Sequence, residues 1–248
     1  MKILLLDIET APNTVYAWGL YDQNIGSNQV EESSYILCWS AKWWGEREIK
    51  FDSVQKSGKS KMLWRIHKLL DEADAVIHFN GRKFDIPVLN KEFIKDGLKP
   101  PSPYKQIDLY QECKRGFRFE SNKLNYVSDA LAIGQKVRHE GFDLWVKCMK
   151  GDKPAWKKME RYNRGDVRLL EALYKKLLPW INRHPNIGAY EDIRCCPSCG
   201  GAKVQQKGYT VTLIMKYPRM HCQECGKWFR GNKSVSHRGG ERYVTIPA

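Results

Sequence analysis

No stretch of the 248 residues is apolar for long enough to cross a membrane, and the N-terminus lacks the basic start, apolar centre and small-residue cleavage site of a secretory signal. Both absences lead to the expectation of a cytoplasmic protein with no membrane partner. Internal repeats and low-complexity tracts are missing too, so the chain reads as globular. Acids are scarce beside bases: 28 Asp and Glu stand against 42 Lys and Arg, a formal net charge of +14. That excess points to a polyanionic partner, with nucleic acid ahead of a membrane surface or plain solubility. With 42% hydrophobic residues, the chain can bury one substantial core and carry a small second unit.

The first apolar run, "ILLLDIE", has the character of a strand buried on both faces. "SYILCWSAKWW" and "REIKFDSV", separated by a Gly-Glu turn, read as a hairpin that continues the sheet, with Trp43 and Trp44 straddling their strand, one in and one out. From Ser60, apolar residues at Met62, Leu63, Ile66, Leu69 and Leu70 recur at helical spacing behind a serine cap. "AVIHFN" and "YKQIDLY" are short strands, and "FDIPVLNKEFIKDG" between them is a helix with Pro87 in its first turn and Gly97 at its end. The chain then turns helical up to "KPAWKKMERYNRGDVRLLEALYKKLLPWI". This order predicts an α/β fold, a mixed sheet flanked by helices.

Asp7 and Glu9 pose a burial problem. Residues two apart on a strand point to one face, and two adjacent buried carboxylates are costly unless the face is wet or a cation sits there. Asp85, after a strand and a turn, reads first as a helix cap. Tyr162 and Asp166 lie one turn apart on a helix and alone read as a solvated face. Gly165, in the middle of that helix, costs roughly 1 kcal/mol relative to alanine, so something is expected to approach the backbone there. Taken together, four acids able to converge with nothing basic among them describe two divalent cations, since hard oxygen ligands suit Mg²⁺ or Mn²⁺ and a pair of such ions can clamp a phosphodiester.

These residues resemble the motifs of the DEDD 3′→5′ exonucleases of the DnaQ-like, RNase H-like superfamily. D-x-E at the end of the first strand is matched by Asp7 and Glu9 in "DIET"; the second motif by Asn80, Phe84 and Asp85 in "NGRKFD"; the third by Tyr162 and Asp166 in "YNRGD". Arg161 stands where the histidine form of the third motif would need another residue, so the resemblance is to the tyrosine subgroup, and it covers residues 1 to about 184. Stretches such as "DIETAPN" and "PPSPYKQIDLY" look like exonuclease-like proteins common in bacteriophage genomes. The resemblance implies an RNase H-like fold and a two-metal phosphodiester hydrolysis. Asp7, Glu9 and Asp166 would hold one metal and the attacking water, Asp7 would bridge to the second, Asp85 would support the second, and Tyr162 would orient the water. It also implies that Ile8 and Thr10 hold the 3′ end and that Asn80 and Phe84 line the same pocket. Asp108 matches no motif and is read as a turn residue.

"KRGFRFESNK" interleaves Lys114, Arg115, Arg118 and Lys123 with Phe117 and Phe119, as a single-strand groove would, or as a solvated loop with two core phenylalanines. Near the C-terminus, "CPSCG" and "CQECG" set Cys196 and Cys199 against Cys222 and Cys225, the spacing of a closed tetrahedral Zn²⁺ site. The Cys-Pro pairing favours Cys196 over Cys195 as ligand, and Cys38, Cys113, Cys148 and Cys195 read as ordinary thiols. The segment resembles the zinc ribbons of transposases and other DNA-handling proteins. Its Lys203, Lys207, Lys216, Arg219, Lys227 and Arg230, with Tyr209, Tyr217, Trp228 and Phe229, favour nucleic acid over a protein partner on charge.

The expected organisation is an exonuclease domain over 1–184, a linker at 185–194, a four-cysteine zinc ribbon at 195–232 and a basic tail at 233–248. The expected activity is metal-dependent 3′→5′ exonucleolysis, with single-stranded or 3′-ended DNA as partner ahead of RNA, and two Mg²⁺ or Mn²⁺ and one Zn²⁺ as cofactors. The alternatives are a structure-selective endonuclease or RNase on the same scaffold, or a non-catalytic nucleic-acid-binding module. No polymerase or helicase segment is seen, so a proofreading role would require a replication or repair protein as a second chain.

Overall fold

A computed structural model describes residues 1–191 and 194–235 and divides the chain into two compact units, one spanning Lys2–Lys175 and a second beginning at Lys176. Most of the expected basic tail and part of the expected linker lie outside the described residues.

The first unit opens with β1 (Ile3–Thr10), a short β2 (Thr14–Val15) paired with β3 (Val30–Glu32), then β4 (Ile36–Trp43) and β5 (Lys50–Ser53). Next come α1 (Val54–Ser57), α2 (Lys59–Asp71), β6 (Ala75–His78), α3 (Asp85–Lys95), β7 (Lys105–Asp108) and α4 (Leu109–Gly116). Helices α5 (Leu124–Ala130), α6 (Phe142–Met149) and α7 (Lys153–Leu177) complete it. The main sheet has the order β5-β4-β1-β6-β7; β1 is antiparallel to β4 and parallel to β6, and β6 is parallel to β7. The expected mixed sheet flanked by helices is therefore present, with β1 at its centre.

Pleating sorts β1 into two faces. Leu4, Leu6 and Ile8 pack with Met62, Leu63, Ile66 and Leu70 of α2 and Leu89 and Phe93 of α3. Asp7 and Glu9 therefore project from the opposite face. A second cluster joins Leu37 and Phe51 of the hairpin to Leu144 of α6 and to Trp156, Met159 and Tyr162 of α7. Helix α7 is fastened to the sheet by a mostly buried ion pair between Lys42 of β4 and Glu171.

Two local expectations are corrected. Ser60 lies inside α2, whose N-cap is Gly58 at φ 75°, and the Ser60 hydroxyl instead donates to Asp96 at 2.8 Å. Trp43 and Trp44 do not straddle a strand: β4 ends at Trp43, both rings are half-buried, and Trp44 meets Tyr174 edge-on at 4.7 Å.

In the second unit, α8 (Ile187–Glu191) occupies much of the stretch read as linker, its first N–H donating to the Pro197 carbonyl at 2.9 Å. Strands β8 (Val204–Val211), β9 (Lys216–Cys222) and β10 (Trp228–Arg230) form an antiparallel sheet in the order β10-β9-β8. Among the described residues, no helix is long and apolar enough to cross a membrane.

Asp108, at the end of β7, holds the turn between β6 and α3. Its carboxylate accepts from the Asn80 N–H at 2.8 Å, from the Arg82 N–H at 3.4 Å and, as the N-cap of α4, from the Tyr110 N–H at 3.1 Å. Asn80 enters that turn at φ 63°, and a Cβ on Gly81 would come within 2.5 Å of the His78 ring, so the turn requires glycine there. Asp108→Ala strips an acceptor from three N–H groups and should lower stability by roughly 1–3 kcal/mol in urea unfolding; wild-type stability in this variant would show that the turn holds without it.

Candidate active site

The parallel strands β1, β6 and β7 end on one side of the sheet, where a crevice outside strand termini commonly receives ligands. Asp7 and Glu9 stand at the end of β1, and a shift in the β1/β4 register between Glu9 and Thr10 marks a bulge that re-aims the strand end. Helix α7 supplies the third carboxylate: oxygens of Asp7, Glu9 and Asp166 all lie within 4.8 Å of one another. Asp85, first residue of α3, accepts from the Ile8 N–H at 3.2 Å and so is tied to β1 between the other two acids. Its cap role is taken by Phe84 instead, which makes no side-chain capping bond.

The charges are costly as they stand. Burial, then repulsion from Asp166, Glu9 and Asp85, holds Asp7 well above the ordinary carboxylate range. Burial and Asp166 push Glu9 up to about 8. Burial likewise raises Asp85 to about 7 although the Ile8 N–H works against it, and burial raises Asp166. One oxygen of Asp166 is buried with no hydrogen-bond partner. Buried, mutually repelling oxygens with an unsatisfied lone pair fit hard divalent cations. Four carboxylates against one ammonium leave a deficit that two such ions would cover.

That ammonium is Lys136, which the sequence reading missed. Its Nζ donates to Asp166 at 2.6 Å and to the Tyr162 hydroxyl at 3.2 Å. Burial opposes its charge, but Asp166 and Tyr162 outweigh burial and hold its pKa above the ordinary lysine value. The signal that could have found it was Gly165: a Cβ there would sit 3.0 Å from a methyl group of Val137, the next residue. Asn163 was missed as well, and its amide donates to the Asp7 carboxylate at 2.6 Å. The Tyr162 ring is fixed edge-on by His139 at 4.7 Å and Trp145 at 5.9 Å.

The expected substrate residues separate. A cavity of about 480 Å³ is lined by Asn80 together with Phe79, Tyr110, Asn122, Lys123 and Lys136. Phe84 is not among its lining residues and is 44% exposed at the head of α3. Ile8 cannot hold a 3′ end with its side chain, because that side chain is buried in the core against α2 and α3 and its N–H serves Asp85. Thr10 is half-buried at the bulge. Lys114, Arg115 and Arg118 are exposed at and after the end of α4, Arg115 paired with Glu112. Phe117 and Phe119 stack on each other at 5.6 Å and are half-buried rather than in the core.

The family model described as the RNase_H superfamily matches residues 4–178. The chain belongs to the RNase H superfamily. Among solved structures, the family B DNA polymerase of the hyperthermophilic archaeon Pyrobaculum calidifontis aligns with a TM-score of 0.56 and 16% identity, over 72% of this chain and 25% of the polymerase. Trypanosoma brucei RNase D aligns with a TM-score of 0.46 and 17% identity, over 71% of this chain and 57% of that protein. The likeness to the polymerase is one of fold, and this chain spans about a quarter of the polymerase and little over half of RNase D. No curated protein matches the chain.

The RNase H superfamily match ends before the C-terminal cysteines, four of which form a second cluster. Cys196, Cys199, Cys222 and Cys225 place their sulfurs within 4.8 Å of one another, with Cys196–Cys225 and Cys199–Cys222 each 3.7 Å apart. A tetrahedron with Zn–S bonds of about 2.3 Å has edges of about 3.8 Å, so the donor set fits zinc. Gly200 and Gly226 follow the second cysteine of each pair at φ 73° and 80°, and the Gly201 N–H donates to the Cys199 sulfur at 3.3 Å. Cys195 is outside the cluster.

A raised carboxylate pKa means that the folded protein keeps a proton the unfolded chain has released. The metal-free protein should therefore lose stability as pH rises from the ordinary 4.5 of Glu9 to its folded value of about 8. Added Mn²⁺ displaces that proton, so the increase in unfolding temperature it gives the zinc-loaded protein should be larger near pH 8 than near pH 6; an equal or smaller increase near pH 8 contradicts the assignment. For the second cluster, elemental analysis should find about one zinc per chain in wild type and in Asp7→Asn and none in Cys222→Ser, whereas zinc retained after the cysteine change removes Cys222 from the site.

Proposed function

We propose that the chain is a metal-dependent 3′→5′ exonuclease that hydrolyses single-stranded nucleic acid from its 3′ end, with DNA as the expected strand. The observation that carries this reading is the convergence of Asp7 and Glu9 from β1 with Asp166 from α7, all within 4.8 Å, while Asp85 binds the β1 amide between the first two. Positions that resemble three separate exonuclease motifs thus meet at one strand end. Membership of the RNase H superfamily supports nuclease chemistry there.

Divalent ions held by Asp7, Glu9 and Asp166, with Asp85 supporting, would supply the Lewis acidity that lowers the pKa of the attacking water and neutralises the phosphodiester. The chain's own residues set up the rest. Asn163 holds one oxygen of Asp7, which leaves that carboxylate one orientation. The Tyr162 hydroxyl accepts from Lys136, and burial with the nearby Asp166 charge keeps its pKa above the ordinary phenol value, so its own proton remains available to donate at neutral pH. A donor fixed in this way can orient the water that attacks phosphorus, and the 3′ oxygen of the penultimate nucleotide leaves with a proton to give a new 3′ hydroxyl. The cavity beside Asn80 and Lys136, with its two aromatic rings and amides, suits the bases of the strand being cut.

With 5′-labelled single-stranded DNA and Mg²⁺ or Mn²⁺, products should shorten one nucleotide at a time from the 3′ end. Asp7→Asn and Asp166→Asn should abolish shortening, and Tyr162→Phe should slow it by roughly 10²-fold, the scale of a lost acid–base or water-orienting group. Internal cuts would replace this reading with an endonuclease, and tight binding without cleavage would replace it with a binding module.

A further inference from the structure

The second unit carries a surface that the nuclease reading does not use. Between Arg194 and Val235 the sequence has eight Lys and Arg and a single acid, Glu224, which is turned toward the Lys203 N–H at 3.1 Å. Not all of this charge is available: Lys227 is buried and donates to the Ile181 carbonyl at 2.8 Å. The pairing register sorts the remainder. Trp228 lies opposite His221 and Arg230 opposite Arg219, and directly opposed residues share a face. Alternation along β9 adds Tyr217 to that face and sends Met220 and the zinc-site Cys222, both buried, to the other.

One face of the ribbon sheet therefore presents Tyr217, Arg219, His221, Trp228 and Arg230 together, with no acid among them. Their side chains are already layered. His221 stacks on Trp228 with centroids 4.3 Å apart, Arg219 lies over Trp228 at 5.3 Å, and Arg230 lies over Tyr217 at 4.3 Å. Arg219 is held in place by donating to the Lys207 carbonyl at 2.9 Å, within the β8 register shift between Gln206 and Tyr209 that contains Gly208 at φ 76°. Trp228 remains 47% exposed.

We propose that this face of the β8–β10 sheet binds single-stranded nucleic acid, bases stacking on the Trp228 and Tyr217 layers and phosphates pairing with Arg219 and Arg230. Charge complementarity selects a polyanion. The flat, partly exposed ring and guanidinium layers select one with unpaired bases, since bases in a duplex are already stacked on each other. Layers that are held before binding lose little freedom on binding. This site uses none of the β1 carboxylates, and its test does not depend on cleavage.

Full-length zinc-loaded protein is titrated, without added divalent ion, into fluorescein-labelled twenty-nucleotide oligo-dT, oligo-rU and a duplex of the same length, at several salt concentrations. Single strands should bind more tightly than the duplex. Trp228→Ala should weaken single-strand binding about ten-fold while Trp228→Phe keeps it within about three-fold. The double variant Arg219→Gln, Arg230→Gln should lower the salt slope by about 1.4, roughly 0.7 for each phosphate contact. Gln206→Ala, on the opposite face, should change neither quantity, and each variant should retain its zinc. Wild-type affinity and salt slope in the zinc-retaining Trp228 and arginine variants would overturn the proposal and leave the face to a protein partner, as would a duplex preference unaffected by Trp228→Ala.

Discussion

The burial of like-charged carboxylates that cannot move apart sets the terms for the first unit. Asp7 and Glu9 share a face because a strand's side chains alternate, and β1 is fixed at the centre of the sheet by pairing on both sides. Asp166 is fixed because α7 is pinned to the sheet through Lys42–Glu171 and through Asn163 on Asp7. Asp85 is fixed by the Ile8 amide and by the turn that Asp108 clamps. None of the four is free to turn away, so burial, with repulsion from neighbouring acids added at Asp7 and Glu9, keeps their pKa values raised in the folded protein. A scaffold that holds like charges together in this way fits a cation of higher charge than one lysine supplies.

Lys136 fits this picture as a partial neutraliser. It engages Asp166 and Tyr162 and leaves Asp7 and Glu9 without an ion pair of their own among the described contacts. Its segment is pressed onto α7, with Val137 at Gly165 and Leu169 against Gly134. Packing and electrostatics thus act on the same turn of the same helix. The second unit faces a different problem with a different donor set: its sheet is small, few of its residues are buried, and four sulfurs at tetrahedral spacing fit a zinc ion that would do what a larger core does elsewhere.

What the sequence revealed follows the range of the contacts concerned. The strand face of Asp7 and Glu9, the helical stacking of Tyr162 on Asp166, and the two cysteine turns are short-range geometry, fixed by periods of two, four and three residues, and each is legible without a fold. Asp85, taken without its motif, was legible only as a cap, because its partner, the Ile8 amide, is distant in the chain. Lys136 lies in a segment with no motif of its own, and its meeting with Asp166 depends on how that segment crosses α7; only the unexplained Gly165 hinted at it. The caps and aromatic placements that differed from expectation, Gly58 for Ser60 and half-buried Trp43 and Trp44, were decided by tertiary neighbours such as Asp96 and Tyr174. On the ribbon, the sequence showed the cations and rings but not their sides; the β9 register separated Arg219 and Trp228 from the buried Lys227.

The most direct test of the account is a count of divalent ions at the carboxylates. Calorimetric titration of Mn²⁺ into zinc-loaded protein near pH 8 should give two ions per chain with release of protons, and Asp7→Asn should remove both. No binding, or binding unchanged in Asp7→Asn, would contradict the view that these acids are held together to carry metal.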